Sequence, residues 1–293
     1  MKNFALPAVQ QYLDDPDVTE IMVVNGGDVW VERRTGIVLE GRIKNDDVTH
    51  LVEIISRISG RRVDALSPIL DTRLPDGSRV CVVLPPIALH GISINIRRFP
   101  VRTLPLAAFG SESVCNEVRH LVTSHTNVVV SGATSTGKTS LISAATEWFS
   151  PHERIVCVED TAEIKCKHPH TVHLQTRPAN QDKQGEVTLH HLVSTSLRMR
   201  PDRLLVGEVR GQEVVDMLLA LSSGHRGSWT TVHSTSAQDT VNRLVSLVLR
   251  HHPQWSRSSA HELVTTAIGA VVHLERLPHG QRQISDVVVL TET

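Results

Sequence analysis

Residues 132–139 read Gly-Ala-Thr-Ser-Thr-Gly-Lys-Thr, between an apolar run at Asn127–Ser131 and a segment of helical pattern from Ser140 to Phe149. No other stretch constrains the fold as tightly. A G-x-x-x-x-G-K-[ST] run after a strand and before a helix is a phosphate-binding loop. Glycines at 132 and 137 let the backbone turn sharply, so that successive N–H groups point inward. The helix N-terminus adds partial positive charge. Lys138 is spaced to reach the β- and γ-phosphates of ATP, and the Thr139 hydroxyl to bind Mg²⁺. The expected nucleotide-binding segment is Gly132, Ala133, Thr134, Ser135, Thr136, Gly137, Lys138, Thr139 and Ser140. A glycine-rich turn with a stray lysine is the competing reading, and it leaves the flanking strand and helix unexplained.

The pattern around this loop alternates strands with helices. Helices are expected at Ser113–Ser124, Gly211–Ser222 and Ala237–Leu249, and apolar strands at Arg154–Glu159, Leu204–Gly207 and Ser228–His233. Such alternation implies a parallel sheet covered on both faces. Ala270–Leu274 and Gln283–Leu290 read as a closing pair of strands. The first hundred residues differ. Short strands at Val18–Asn25, Val29–Arg33, Ile37–Leu39, Ile69–Leu74, Arg79–Leu84 and Ile92–Arg98 are separated by turn residues. A helix is expected at Asp46–Ser59, capped by Asp46, and a short one within residues 1–15. These patterns divide the chain into an α/β domain at 1–99, a linker at 100–111 and a second α/β domain at 112–293.

Phosphoryl transfer also needs a held metal and an oriented water. Two apolar strands run into glutamate, Ile155–Val158 into Glu159 and Leu204–Gly207 into Glu208. In an open parallel sheet, ligands bind at the carboxyl ends of strands. Glu208 is assigned to Mg²⁺ together with Thr139, and Glu159 to the attacking water, although the two roles are interchangeable on sequence alone. His233 ends another strand, where a neutral imidazole can sense the γ-phosphate; His225 is a further histidine in a glycine-bounded turn. Arg210, close after Glu208, is a candidate to offset phosphate charge, and Arg73, Arg79, Arg97 and Arg98 bound strands of the first domain.

Composition narrows the function classes. The net charge is −1, and acidic and basic residues balance on both sides of residue 110, so neither half carries a broad footprint for nucleic acid. Aromatics make up 3%, so the core must be built from Val, Leu, Ile and Ala. No apolar run reaches the roughly 18–20 residues of a membrane span. Acidic residues also stand where a signal peptide would be apolar, so the cytoplasm is the expected compartment. There the four cysteines are expected as small buried hydrophobes rather than disulfides. Cys166, His168, His170 and His173 have ligand chemistry for zinc but not its spacing.

Taken in order, these segments resemble the traffic ATPases of bacterial secretion and type IV pilus systems, and among them the CpaF-type tight-adherence (Flp) pilus assembly ATPases. The likeness runs over nearly the whole chain. It is carried by Tyr12–Met22, Leu74-Pro-Asp-Gly-Ser-Arg-Val80 and Ile96-Arg-Arg-Phe99 in the first domain. In the second it is carried by the loop, by Val158–Ile164, similar to the family's Asp box, and by Leu197–Arg203 running into Val206–Gly211, similar to its Walker B region. Gly227–Ser234 is similar to its His box. The resemblance implies a PAS-like first domain and a RecA-like second domain. It also implies a homohexamer with nucleotide between the two domains, completed by first-domain arginines, above all Arg79 and Arg97. Such rings dock on an inner-membrane platform protein and hydrolyse ATP to move pilin or other cargo. The ATPase of a conjugation or type IV secretion machine is the alternative within the class; a nucleic-acid translocase and a non-catalytic scaffold are the alternatives outside it. Ala133 and Ser135-Thr136 replace residues that are often glycine and serine in the family, Arg226 stands where an acid is common, and the N-terminus is shorter than in many relatives.

Overall fold

The computed structural model describes residues 4–33, 35–98, 103–179, 184–277 and 281–290. The chain divides into two compact units, Met1–Arg102 and Thr103–Thr293.

The first unit opens with a short helix, α1 (Gln10–Asp14), and builds a six-stranded antiparallel sheet. Its strands are β1 (Glu20–Val24), β2 (Asp28–Arg33), β3 (Gly36–Arg42), β4 (Ile69–Arg73), β5 (Arg79–Val83) and β6 (Ser93–Arg97), in the order β3-β2-β1-β6-β5-β4. Burial alternates along the central strands, so Ile21, Val23, Val80, Val82, Ile94 and Ile96 face one core. Helix α2 (Asn45–Ser59) covers that face with Val48, Leu51 and Ile55. Each such fully buried side chain contributes about 1.5–3 kcal/mol. The residue before α2 is Lys44, and its side chain makes no cap; Asp46, expected as the cap, lies inside the first turn, where its charge suits the helix dipole.

The second unit holds a seven-stranded sheet in the order β13-β12-β7-β11-β10-β8-β9. These strands are β7 (Val128–Gly132), β8 (Ile155–Glu159), β9 (Thr171–Gln175), β10 (Arg203–Val206), β11 (Trp229–Val232), β12 (Ala270–Arg276) and β13 (Arg282–Val289). All neighbours pair in parallel except β12 and β13, which form an antiparallel hairpin at the edge. Helices α3 (Glu112–Thr123) and α4 (Lys138–Ala145) lie on one face, and α5 (Leu189–Ser196), α6 (Glu213–Ser222), α7 (Ala237–His251) and α8 (Arg257–Ala267) on the other. Alternate residues of one strand therefore enter different cores. Val128 and Val130 pack with Leu141 and Ile142, while Val129 packs with Met217 and Val245. Arg203 is fully buried at the start of β10. Its Nε donates to Glu153 at 2.8 Å and its guanidinium lies 4.4 Å from the Phe149 ring, so the charge is paired rather than stranded.

Several sequence expectations change. The segment read as a linker, 100–111, lies partly outside the described residues, at 100–102. From 103 onward it belongs to the second unit, where Leu106–Ala108 form a 3-10 turn and Leu106 and Phe109 enter the core. Strand β9 and helices α5 and α8 come from segments not read as elements. Each of those two helices is capped at its start, by the Thr188 and Ser256 hydroxyls. Cys115 and Cys157 are buried, as expected of small hydrophobes, whereas Cys81 is exposed and Cys166 half-buried.

Candidate functional site

Strand β7 is buried along its whole length and delivers the chain to Gly132, where the backbone turns with φ of +147°. At this turn a Cβ would stand 2.4 Å from the Leu274 carbonyl oxygen of β12. At the other end of the loop, Gly137 has φ of +96° and precedes α4. A side chain there would collide with Arg282 of β13, whose Cδ lies 2.6 Å from the Cβ position. Both glycines are therefore required twice, by the turn they make and by the hairpin packed against it. Between them, Ala133, Thr134 and Ser135 are exposed.

Lys138 is almost completely buried. Its Nζ donates to the carbonyl oxygens of Gly132 at 3.0 Å and Ala133 at 2.8 Å. It also lies 3.3 Å from Nδ1 of His233 at the end of β11. An ammonium only donates, so Nδ1 must accept and the imidazole carries its proton on Nε2. That Nε2 lies 3.4 Å from Oε1 of Glu208, just beyond β10. Lys138, His233 and Glu208 thus form one line of contacts beside the loop. Burial lowers the Lys138 pKa, and the charges of Glu208 and Glu163 oppose that shift. Burial, and then the positive charge of Lys138, lower that of His233 and keep it neutral.

Glu159 ends β8 and is 2% exposed. Burial pushes its carboxyl up to about 7, against the pull of two backbone donors. Those donors are the N–H groups of Glu163 and Ile164, each 2.9 Å from Oε1. The acid therefore also shapes the loop after its own strand. Glu208 is more open, 36% exposed at its side chain. Two carboxyls at neighbouring strand ends thus occupy different environments.

The remaining candidates are placed as follows. Arg210 forms an ion pair with Asp160, and its backbone N–H donates to Glu213. His225 lies 3.1 Å from the Ala220 carbonyl oxygen through Nδ1, so it satisfies a local backbone group. Arg79 and Arg97 belong to the first unit, directly opposite each other on β5 and β6, with Arg73 and Glu20 continuing the row on the adjacent strands. The zinc-like cluster does not converge: Cys166 meets the Thr171 hydroxyl, His168 the Ser150 carbonyl and His170 the Arg154 guanidinium. Among the described residues, no three His, Cys, Asp or Glu side chains gather to hold a metal.

Sequence reading missed Ser131, His273 and Arg282. Ser131 and Nδ1 of His273 are joined at 2.8 Å beneath the loop. Arg282 lies against Gly137 and within 3.3 Å of the Ser140 hydroxyl. No motif marks either hairpin residue, because only the pairing of β12 with β7 brings them to the loop.

A mostly parallel sheet with helices on both faces and a phosphate loop at the end of a buried strand defines a RecA-like P-loop nucleotide-binding protein. Its sequence goes further: the chain belongs to the family of type II/IV secretion system proteins, whose pattern matches residues 5–288. It is similar to the type IV secretion system protein VirB11 of Brucella suis, 31% identical over 97% of this chain and 89% of that one. It is also similar to the conjugal transfer protein TrbB of Rhizobium radiobacter, 32% identical over 92% of this chain and 83% of that one. The crystal structure of the ATPase DotB from Legionella pneumophila shares the fold, with a TM-score of 0.72 at 19% identity over 100% of this chain and 83% of that chain. No helix among the described residues is long and apolar enough to cross a membrane.

Proposed function

We propose that this chain is the ATPase motor subunit of a bacterial secretion machine. It hydrolyses ATP to ADP and phosphate, works as a homohexamer, and docks on an inner-membrane platform protein from the cytoplasmic side. The observation that carries the reading is the line from Lys138 through His233 to Glu208 at the mouth of the phosphate loop. A structural lysine needs no such chain; a γ-phosphate sensor does. The names of the relatives, conjugal transfer and type IV secretion, support that branch over the tight-adherence pilus branch.

In this mechanism Lys138 exchanges its contacts with the Gly132 and Ala133 carbonyls for the β- and γ-phosphates. The Thr139 hydroxyl and the Glu208 carboxylate are hard oxygen donors that would hold Mg²⁺, which would supply charge to offset that of the phosphates. Glu159 accepts the proton of the attacking water, and its raised pKa suits a base working near neutrality. His233 reports the γ-phosphate to Glu208 through its two ring nitrogens. Arg210, Arg79 and Arg97 are assigned to offset transition-state charge. For the last two the support is their cross-strand pairing, which puts two like charges at directly opposed positions of β5 and β6.

Glu208→Gln is expected to keep ATP binding while hydrolysis falls by about 100-fold or more. Unchanged turnover would remove Glu208 from the site. The ring is tested by sedimentation with a non-hydrolysable ATP analogue and Mg²⁺, with turnover followed across protein concentration. A hexamer whose rate per subunit rises with assembly supports the motor. A monomer with a constant rate per subunit leaves the ATPase and removes the motor.

A further inference from the structure

The C-terminal hairpin contributes more than packing to the loop. Within the cradle, Lys138 is spaced for the outer phosphates and Thr139 for the metal, while backbone N–H groups of the loop hold the inner ones. Ser140 is the next residue, and its hydroxyl lies 3.3 Å from Nη1 of Arg282. The same guanidinium lies along Gly137, with Nε 3.1 Å and Nη1 3.4 Å from the position a Cβ would occupy there. Its close fit depends on residue 137 having no side chain. Arg282 is thus a cation held at the Gly137–Ser140 end of the loop, opposite the Gly132–Ala133 end whose carbonyls Lys138 meets.

We propose that Arg282 is a nucleotide-binding residue that contacts the α-phosphate end of a nucleoside di- or triphosphate. The inference rests on the nucleotide reading above and adds to it a ligand from the last strand of the sheet. A guanidinium presents a planar fork of donors suited to phosphate oxygens. The α-phosphate is present before and after hydrolysis and gains no charge in the transition state. A contact there binds substrate, transition state and product alike, and such uniform binding appears in KM and not in kcat. Arg282 therefore differs in kind from Lys138, Glu159 and Glu208, which act where the bond breaks.

The test is Mg-ADP binding by calorimetry, with ATP turnover, for the full chain and its Arg282→Gln and Arg282→Lys variants. Arg282→Gln is expected to weaken ADP binding and raise KM for ATP by the same factor, about tenfold, with kcat within about twofold of the parent. Arg282→Lys is expected to recover part of the affinity, and the parent to lose affinity with salt more steeply than Arg282→Gln. Equal ADP affinity in the parent and Arg282→Gln overturns the proposal. So does equal loss in the Lys and Gln variants together with a lowered Tm without nucleotide, because Arg282 would then only support Gly137. If the parent itself takes up no ADP, the nucleotide reading fails first and this inference fails with it.

Discussion

In the first unit Ile21, Val23, Ile94 and Ile96 are buried, while Met22 and Asn95 between them are only partly covered; in the second, Val128–Gly132 and Ile155–Glu159 are buried at every residue. One sheet has a helix on one face, the other has helices on both. Polar side chains along a sheet covered on both faces are turned inward, as Arg203 is to Glu153 and Thr231 to the Gly207 carbonyl, so chemistry open to a ligand is pushed to the strand ends. Glu159, Glu208 and His233 all stand there. A sheet with an open face can instead display charge across its strands, as the row Glu32, Glu20, Arg97, Arg79 and Arg73 does. The same secondary structure thus carries charge in two ways, set by what covers it.

The sharpest way to break this comparison is to remove charge from each sheet in turn. Lys138→Ala at the covered sheet is expected to reduce turnover by about a thousandfold or more, with nucleotide binding lost or nearly lost. Arg97→Ala at the open face is expected to leave ADP binding in place while lowering turnover by about a hundredfold. Mixing the two variants separates the units further. Recovered activity on mixing would mean that the two groups act from different chains.

Stability gives a second contrast. Leu205→Ala, in the middle of β10, is expected to cost about 2–5 kcal/mol. Leu39→Ala on β3, where the side chain is 51% exposed, is expected to stay within about 0.5 kcal/mol. Urea unfolding of both variants decides it, and similar losses would mean that β3 is covered in solution.

The smallest effect expected is that of pH. Burial pushes the Glu159 carboxyl up to about 7, so the proposed base is mostly protonated at pH 6 and ionised at pH 8. Turnover is expected to rise by about tenfold between these values, and the limb to vanish in Glu159→Gln. The stability effect runs the other way. A carboxyl whose folded pKa is raised favours the fold below its unfolded value of 4.5, and that contribution is lost as pH climbs through about 7. A limb that survives in Glu159→Gln would assign it to another group.

The covered sheet was the more legible of the two. Continuous apolar runs such as Ile155–Val158 announce a buried parallel strand, and a glutamate ending such a run has one place to be. The weaker strand β9, of which His173 and Gln175 are part, was missed because its residues lack that apolar run. Asp46 was misjudged as a cap because the helix began one residue earlier, where Lys44 precedes it. Leu106 and Phe109, within the expected linker, show no period of their own; they are single anchors that pack against α3 and α4.

By itself the sequence determined where the glycine-bounded loop, Glu159, Glu208 and His233 stand, at or just beyond strand ends, since each is fixed by its place at the end of a local pattern. Local patterns come from backbone geometry over a few residues, which the order of side chains dictates. The structure alone decided which of these groups touch and in what protonation state. The line from Lys138 to Glu208 joins residues far apart in the chain, and the raised pKa of Glu159 is a product of burial. Arg282 reaches the loop only because β12 pairs with β7 and carries β13 beside it. Strand pairing across such distances is chosen by the packing of the whole sheet, and no short window of residues encodes it.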